Sequence, residues 1–377
     1  MEFLGKSRDE LQAYFAALGE PKYRAGQTYH ALYAERKFAF AEISNLPKAL
    51  REKLQRDAAI TLPTVRQRYV SADGSVRYLL GLPVAGEKRK VPAAVEAVFM
   101  PSEGRQTICI STQAGCAVDC QFCLTAQLGL IRNLTAGEIV AQVLLPLAEM
   151  SGNKTSLDGA SGEHIAEPAE GAGLAAQTNV VLMGQGEPLL NYDNVMAALR
   201  ILLDPEGVGL SPKHVTLSTS GIVPGIERMA AEEVRPKLAI SLNASSDEQR
   251  DVLMPINRKY PLKVLLDACR RYPLRTWEHI TFEYVMLGGV NDAAEDARRV
   301  VKLLAPLKSV KLNLIPWNPG ELPYKESSAA TIEEFRRILV DKRIPAFVRY
   351  SRGRDVMAAC GQLALKEVQN TPLPILS

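Results

Sequence analysis

The chain has 377 residues, 47% of them hydrophobic and 23% charged, and a formal net charge of +3. That length buries a full core, and the balance excludes a disordered, fibrous or disulfide-stapled miniature protein. Charges interrupt the apolar runs of MEFLGKSRDELQAYF, and no later stretch stays apolar for the roughly 20 residues of a membrane span, so the sequence predicts a cytoplasmic protein with no membrane partner. Six cysteines in that compartment are reduced thiols, and a tight cluster of them points to metal or redox chemistry. Residues 1–91 carry 16 Lys and Arg against 10 Asp and Glu, which makes the front of the molecule its basic part and suits a polyanionic partner.

Residues 7–57 place Leu11, Phe15, Tyr29, Leu32, Tyr33, Leu50 and Leu54 at helical spacing, and Leu46-Pro47 marks a helix start. A small helical domain over 1–58 follows. From 59 to 101 the pattern changes to period two, with Val76, Tyr78 and Leu80, then Val95, Ala97 and Phe99, which reads as a short β-rich connecting segment. From 102 to 350 short β runs alternate with helices. QTICIS precedes a helix from Thr135, NVVLM one near Asn194, and HVTLS one near Pro224. KLAISL, ITFEYVML and VKLNLI follow, separated by helices around 262–271 and 293–304. Such alternation implies parallel pairing through right-handed crossovers, and six units make an α/β fold of the partial (β/α)6, TIM-like kind. Thr135 with Glu138 three residues later forms a capping box. Residues 151–178, rich in Gly, Ala, Ser and Glu, have no apolar period and read as a flexible surface insertion. Residues 351–377 form a C-terminal segment that carries Cys360.

The first strand runs into GCAVDCQFC, which sets Cys116, Cys120 and Cys123 in a C-x3-C-x2-C spacing. Structural zinc nearly always takes four protein ligands, whereas a [4Fe-4S] cubane held by three thiolates leaves one iron open. The rival arrangement recruits Cys109 as a fourth ligand and makes a zinc-bound, non-enzymatic RNA-binding module. A parallel βα barrel gathers its active site at the C-terminal ends of its strands. There the chain places Gly184-Gln185-Gly186-Glu187-Pro188, Ser218-Thr219-Ser220-Gly221, Ser241-Leu242-Asn243 and Pro316-Trp317-Asn318-Pro319. Glycine lets a ligand approach the main chain, and Glu187, Ser218 and Asn318 suit the polar groups of an amino acid or a ribose. Each of these residues taken singly also suits a turn that caps the next helix.

The cysteine spacing at the end of the first strand resembles the radical S-adenosylmethionine (SAM) superfamily, in which SAM binds the open iron and is cleaved by one electron to a 5′-deoxyadenosyl radical. YRAGQTYHALY, SNLPKALREKL, VEAVFMP, CISTQAGCAVDCQFCLTAQLG, MGQGEPLLN, VTLSTSG, NLIPWNP and the late CGQL are together similar to the RlmN family. That family methylates C2 of an adenosine in 23S rRNA (adenine 2503) and in tRNA (adenine 37). The resemblance implies a monomeric enzyme holding one [4Fe-4S] cluster on Cys116, Cys120 and Cys123, with SAM on Gly186, Glu187, Ser218, Ser241, Leu242, Asn243 and Asn318. It further implies 23S rRNA and tRNA as substrates and a flavodoxin- or ferredoxin-type reductant. By the same likeness Cys360 becomes the S-methylcysteine intermediate. Glu96 accepts a proton from the adenine, and Cys109 is the resolving thiol, which forms a transient disulfide with Cys360. The Cfr type, which methylates adenine C8, shares these cysteines and stands as the alternative within the class. Cys269, in the amphipathic LKVLLDACRRY, reads as core packing.

Overall fold

The N-terminal segment packs main chain against main chain on the rest of the protein. Gly5, with φ +88°, lies so close to Gly137 that a Cβ at Gly137 would stand 2.5 Å from the Leu4 carbonyl oxygen. A methyl group there has to push the segment away. Gly137→Ala is expected to lower stability by about 2 kcal/mol through overpacking, read as a drop in thermal midpoint.

The computed structural model describes residues 1–83, 93–150 and 177–365. Three helices lead the chain: α1 (Arg8–Ala17), α2 (Tyr23–Tyr33) and α3 (Lys48–Asp57). The first starts on a capping box, Ser7 with Glu10. All seven apolar residues spaced for these helices are buried, and Phe3 meets Phe40 and Tyr14 edge-on at 5.2 Å. Next come β1 (Thr64–Val70), β2 (Val76–Gly81), β3 (Ala94–Ser102) and β4 (Arg105–Cys109), paired antiparallel in that order. A small ribbon follows, β5 (Gln113–Gly115), α4 (Leu124–Gln127) and β6 (Leu130–Asn133).

The remaining elements alternate: α5 (Ala136–Met150), β7 (Gln177–Leu182), α6 (Tyr192–Leu203), β8 (Val215–Thr219), α7 (Val223–Ala230), β9 (Lys237–Ser241), α8 (Asp247–Leu253), α9 (Leu262–Arg271), β10 (Ile280–Met286), α10 (Ala294–Leu304), β11 (Val310–Pro316), α11 (Ala329–Asp341) and β12 (Ala346–Val348). One ten-stranded sheet results, ordered β1-β2-β3-β4-β7-β8-β9-β10-β11-β12, and every pairing from β4 onward is parallel. The six predicted βα strands are present. A seventh parallel strand, β12, adds to them at the free edge. The segment expected to connect the domains extends the same sheet.

Strand alternation gives this sheet two faces. Ile108, Val180, Leu217, Ile240, Phe282 and Leu314 belong to the large core that the helices cover. The intervening residues line the lumen, and it is on this face that the chemistry gathers. The predicted capping box opens α5: Glu138 N–H donates to Thr135 Oγ1 (3.2 Å), and Thr135 N–H donates to Glu138 Oε2 (2.9 Å). Of the predicted insertion 151–178, residues 151–176 lie outside the described residues. Gln177 and Thr178 correct its end: they pair with Arg105 and Gln106 and open β7.

Candidate active site at the strand ends

Cys109 is the last residue of β4, and the loop after β5 carries Cys116, Cys120 and Cys123. Gly115, at φ +73°, leaves no room for a side chain, since a Cβ would stand 1.8 Å from the Gly129 carbonyl oxygen. Cys116 N–H donates to that same carbonyl (3.0 Å), Cys123 N–H to the Cys120 carbonyl (3.1 Å), and Gln121 N–H to the Leu253 carbonyl (3.0 Å). The loop is held at both ends and in the middle. Burial pushes the Cys116 thiol up to about 12, and the neighbouring Glu187 and Cys123 add to the shift. Burial also raises Cys120 well above the ordinary thiol range, Cys123 and Cys116 raise it further, and Arg250 opposes them.

Three thiols that repel one another's charged forms in a desolvated loop need a strongly positive centre to ionise together. The donor set suits a cluster. The Thr112 hydroxyl, buried past the end of β4 with no partner, is a polar group left for something outside the chain. Among the described residues no three His, Cys, Asp or Glu side chains converge on a single metal ion. A cubane takes one thiolate per iron, so its ligands stand farther apart than those of one ion.

The strand ends surround this loop. Gly186 takes φ +97°, where a Cβ would stand 2.5 Å from that of Gln113. Glu187 is buried: its Oε2 accepts from Ser220 N–H (2.6 Å) and its Oε1 from Leu189 N–H (3.0 Å), tying the end of β7 to that of β8. Burial raises its pKa while these hydrogen bonds pull it down. Ser218 and Ser241 are half-buried at the ends of β8 and β9, on the lumen face. Leu242 is fully buried in the core beneath the helices, and its N–H donates to the Glu283 carbonyl (2.9 Å). Asn243 adopts φ +54°; its Oδ1 accepts from Val285 N–H (2.8 Å) and its Nδ2 donates to Met254 Sδ (3.4 Å), so its side chain is engaged within the protein.

Asn318 joins the strand ends to the C-terminal segment. Its Nδ2 donates to the Cys360 carbonyl (3.2 Å) and to Ser351 Oγ (2.9 Å). Leu124 N–H, next to the last loop cysteine, donates to the Gly361 carbonyl (2.9 Å), and Thr125 Oγ1 donates to the Leu363 carbonyl (2.7 Å). Cys360 is exposed, yet it lines a small concavity with Phe122, Trp317 and Asn318, whose crowding raises its thiol to about 11. Its charge acts on Cys109, and those of Glu283 and Cys123 act on it. Cys109 packs with Val98, Val356, Ala358 and Leu363, and burial raises its thiol far above the ordinary range. Its surroundings are the C-terminal segment, not the cysteine loop. All six cysteines are free thiols.

Glu96, on β3, is fully buried and ion-paired with Arg77; its Oε2 accepts from Leu365 N–H (3.1 Å) and Gln185 Nε2 (3.4 Å). Burial raises its pKa and Arg77 opposes the rise. The C-terminal segment thus joins these residues: it packs on Cys109, donates from Leu365 to Glu96, accepts from Asn318, and sets Cys360 beside Phe122 of the cysteine loop.

Sequence reasoning missed Arg77 and Arg250, and it named Gln185 only as one of the strand-end residues. Arg77 and Gln185 frame Glu96. Arg250, fully buried, donates from Nη2 to the Ser220 (2.7 Å) and Ser241 (3.0 Å) carbonyls and from Nε to the Leu242 carbonyl (3.1 Å). It fastens the ends of β8 and β9. Arg250→Met strands those carbonyls and is expected to cost about 3 kcal/mol, read by thermal unfolding together with a loss of bound iron.

Glu283, on the lumen face of β10, is buried and pushed up to about 7 by desolvation, although Asn313 Nδ2 donates to its Oε1 (2.9 Å). A carboxyl held above its unfolded value stabilises the fold below that value, and this stability is lost as pH rises toward the folded pKa. Glu283→Gln is therefore expected to be more stable than the parent by roughly 3 kcal/mol near pH 8, a gain that fades toward pH 4.5 in parallel melts.

The Radical SAM superfamily model matches residues 110–304, and the model described as the ribosomal RNA large subunit methyltransferase N-terminal domain matches residues 1–60. A dual-specificity RNA methyltransferase RlmN from Anaeromyxobacter dehalogenans is 44% identical over 95% of this chain and 90% of its own length. One of the same name from Azorhizobium caulinodans is 46% identical over 95% of this chain and 88% of its length. A crystal structure of a radical SAM methyltransferase from Sphaerobacter thermophilus superposes with a TM-score of 0.84 at 39% identity, covering 97% of this chain and all of that one. The chain belongs to the RlmN family of the radical SAM superfamily and is a SAM-dependent RNA methyltransferase.

Proposed function

We propose that the enzyme methylates C2 of adenosine, at adenine 2503 of 23S rRNA and adenine 37 of tRNA, with Cys360 as the relay of the methyl group. The observation that carries this reading is the C-terminal segment, which sets Cys360 beside the Cys116–Cys123 loop and packs on Cys109 and Glu96. Cys116, Cys120 and Cys123 would hold the [4Fe-4S] cluster, and SAM would lie against Gly186, Glu187, Ser218, Ser241, Leu242, Asn243 and Asn318. When bound, the pair supplies methyl groups and a one-electron route to a carbon radical. No helix among the described residues is long and apolar enough to cross a membrane. Membership of the RlmN family supports a monomer acting in the cytoplasm with a flavodoxin- or ferredoxin-type reductant.

The residues divide the work. Cys360 loses its proton and its sulfur receives a methyl group, a nucleophilic role. Adenine C2 is a poor nucleophile, so the S-methyl group of Cys360 would give up one hydrogen atom to the radical that bound SAM supplies; its carbon then adds to C2, and loss of one electron to the cluster leaves the base joined to the protein through a thioether. Glu96, with its pKa raised by burial, takes the proton released from C2, and Arg77 and Gln185 fix its carboxylate for that task. Cys109 then attacks the Cys360 sulfur; the bond between that sulfur and the bridging carbon breaks, the freed carbon takes up a proton to become the methyl group, and a disulfide forms that the reductant reopens. The Cfr-type alternative places the methyl group on C8. Incubating reconstituted protein with SAM, reductant and separate 23S rRNA and tRNA transcripts, then identifying the methyladenosine isomer by mass spectrometry, decides between them. 2-Methyladenosine in both RNAs is the expected result; 8-methyladenosine would refute C2 chemistry.

A further inference from the structure

The lumen face of β9 to β12 carries more positive charge than its carboxylates balance. Parallel register aligns Ala239, Thr281 and Lys311, and one level up it aligns Ser241, Glu283, Asn313 and Phe347. Period-two alternation puts Lys237 on this same face, and Arg349 continues it just past β12. Lys237 and Lys311 are half-buried and Arg349 is exposed. Among the described residues none of the three forms a salt bridge; Arg349 spends its Nε on Asn313 Oδ1 (3.3 Å).

Two carboxylates are near. Glu283 accepts from Asn313 and acts on Lys311, and Glu278, which acts on Lys237, is paired with Arg235 and Arg275, so one unpaired carboxylate meets three cations. Desolvation lowers the pKa of Lys237 and Lys311, and the charge of Lys311 adds to the effect on Lys237 as that of Arg349 does on Lys311. Like charges gathered on a half-buried face suit a visiting anion.

Two large aromatic residues stand beside them. Phe347, 46% exposed, lies on this face with the Arg349 guanidinium 5.6 Å from its ring centre, and Tyr350 is 65% exposed. Both sit at the free edge of the sheet, which ends on β12. A positive surface with exposed rings is the arrangement that holds unpaired nucleotides, the cations following the backbone and the rings stacking on bases. Glu283, opposite Asn313 on the same face, acts on both this surface and Cys360.

We propose that Lys237, Lys311 and Arg349 form a phosphate cradle for the RNA strand flanking the target adenosine, with Phe347 and Tyr350 stacking on its unpaired neighbours. The cradle rests on the RNA-methyltransferase reading and assigns it a binding surface inside the barrel, apart from the basic N-terminal region. It is tested with full-length reconstituted protein and a fluorescein-labelled RNA hairpin whose loop holds an unpaired adenosine, by anisotropy across a salt series. Lys311→Met and Arg349→Met should each weaken binding about tenfold and lower the slope of log affinity against log salt by about one. Tyr350→Ala should weaken it about tenfold with the slope unchanged.

Methylation of Cys360 by SAM without RNA, read by intact mass, serves as the fold control. A parent protein that fails this control or does not bind the hairpin refutes the underlying reading. A parent that binds, with variants of equal affinity and slope, overturns the cradle. Should Lys311→Met not fold, Lys311→Arg and the exposed Arg349→Met decide: the first should keep the parent slope, the second should lose one unit, and an unchanged slope in the second overturns the cradle.

Discussion

Cys360→Ala is expected to lower RNA methylation at least a thousandfold, about 4 kcal/mol of barrel-site catalysis, while leaving iron content and RNA affinity as in the parent. Cys360 projects from a turn that main-chain groups hold in place, the Gly361 carbonyl accepting from Leu124 beside the cysteine loop and the Cys360 carbonyl from Asn318. Removing its sulfur therefore leaves those hydrogen bonds and the three loop thiols in place. The activity it removes has no substitute in reach. Cys109 is buried beneath the C-terminal segment, and its thiol is harder to ionise than that of Cys360. Iron analysis and a methylation assay on the same preparation check both halves of the result.

Cys109→Ala is expected to give the opposite phenotype, with chemistry that begins and does not finish. The variant keeps Cys360, the loop and the strand ends, so RNA becomes attached, but no second thiol releases it. At least about half of the protein should accumulate joined to RNA under turnover conditions, as a slow-migrating gel species that nuclease collapses. The substitution removes a sulfur from among Val98, Val356, Ala358 and Leu363 and should cost about 1 kcal/mol of stability, small beside the kinetic effect. A double variant with Cys360→Ala should show no adduct, which ties the trapped species to that sulfur.

The barrel was legible because its strands are buried on one face and its helices are amphipathic, so period two and period 3.6 alternate cleanly from residue 106 onward. The three-residue β12 is too short to show any period, and α11 follows a stretch without strand signal. The cysteine loop and strand-end motifs were legible by their spacing. What holds them was not. Arg77 sits out of phase with buried Val76, Tyr78 and Leu80, which in an ordinary sheet means solvent; here the other face is the lumen, and Arg77 meets Glu96 there. Arg250 lies in the polar helix DEQRDVL, where nothing local signals that its guanidinium gathers three carbonyls from two strand ends. Long-range partners of single charged residues leave no trace in spacing, and Asn243, read as a ligand contact, has its side chain taken up by Val285 and Met254.

The claim at the centre of this account is that the methyl group passes through Cys360. It is tested by loading Cys360 from SAM carrying a trideuteriomethyl group, removing the excess, and allowing one turnover with RNA and unlabelled SAM. Deuterium in the first methyl group on adenine, as found by mass spectrometry of the digested RNA, is the predicted result. An unlabelled methyl group on that first product, with the label still on Cys360, would contradict it.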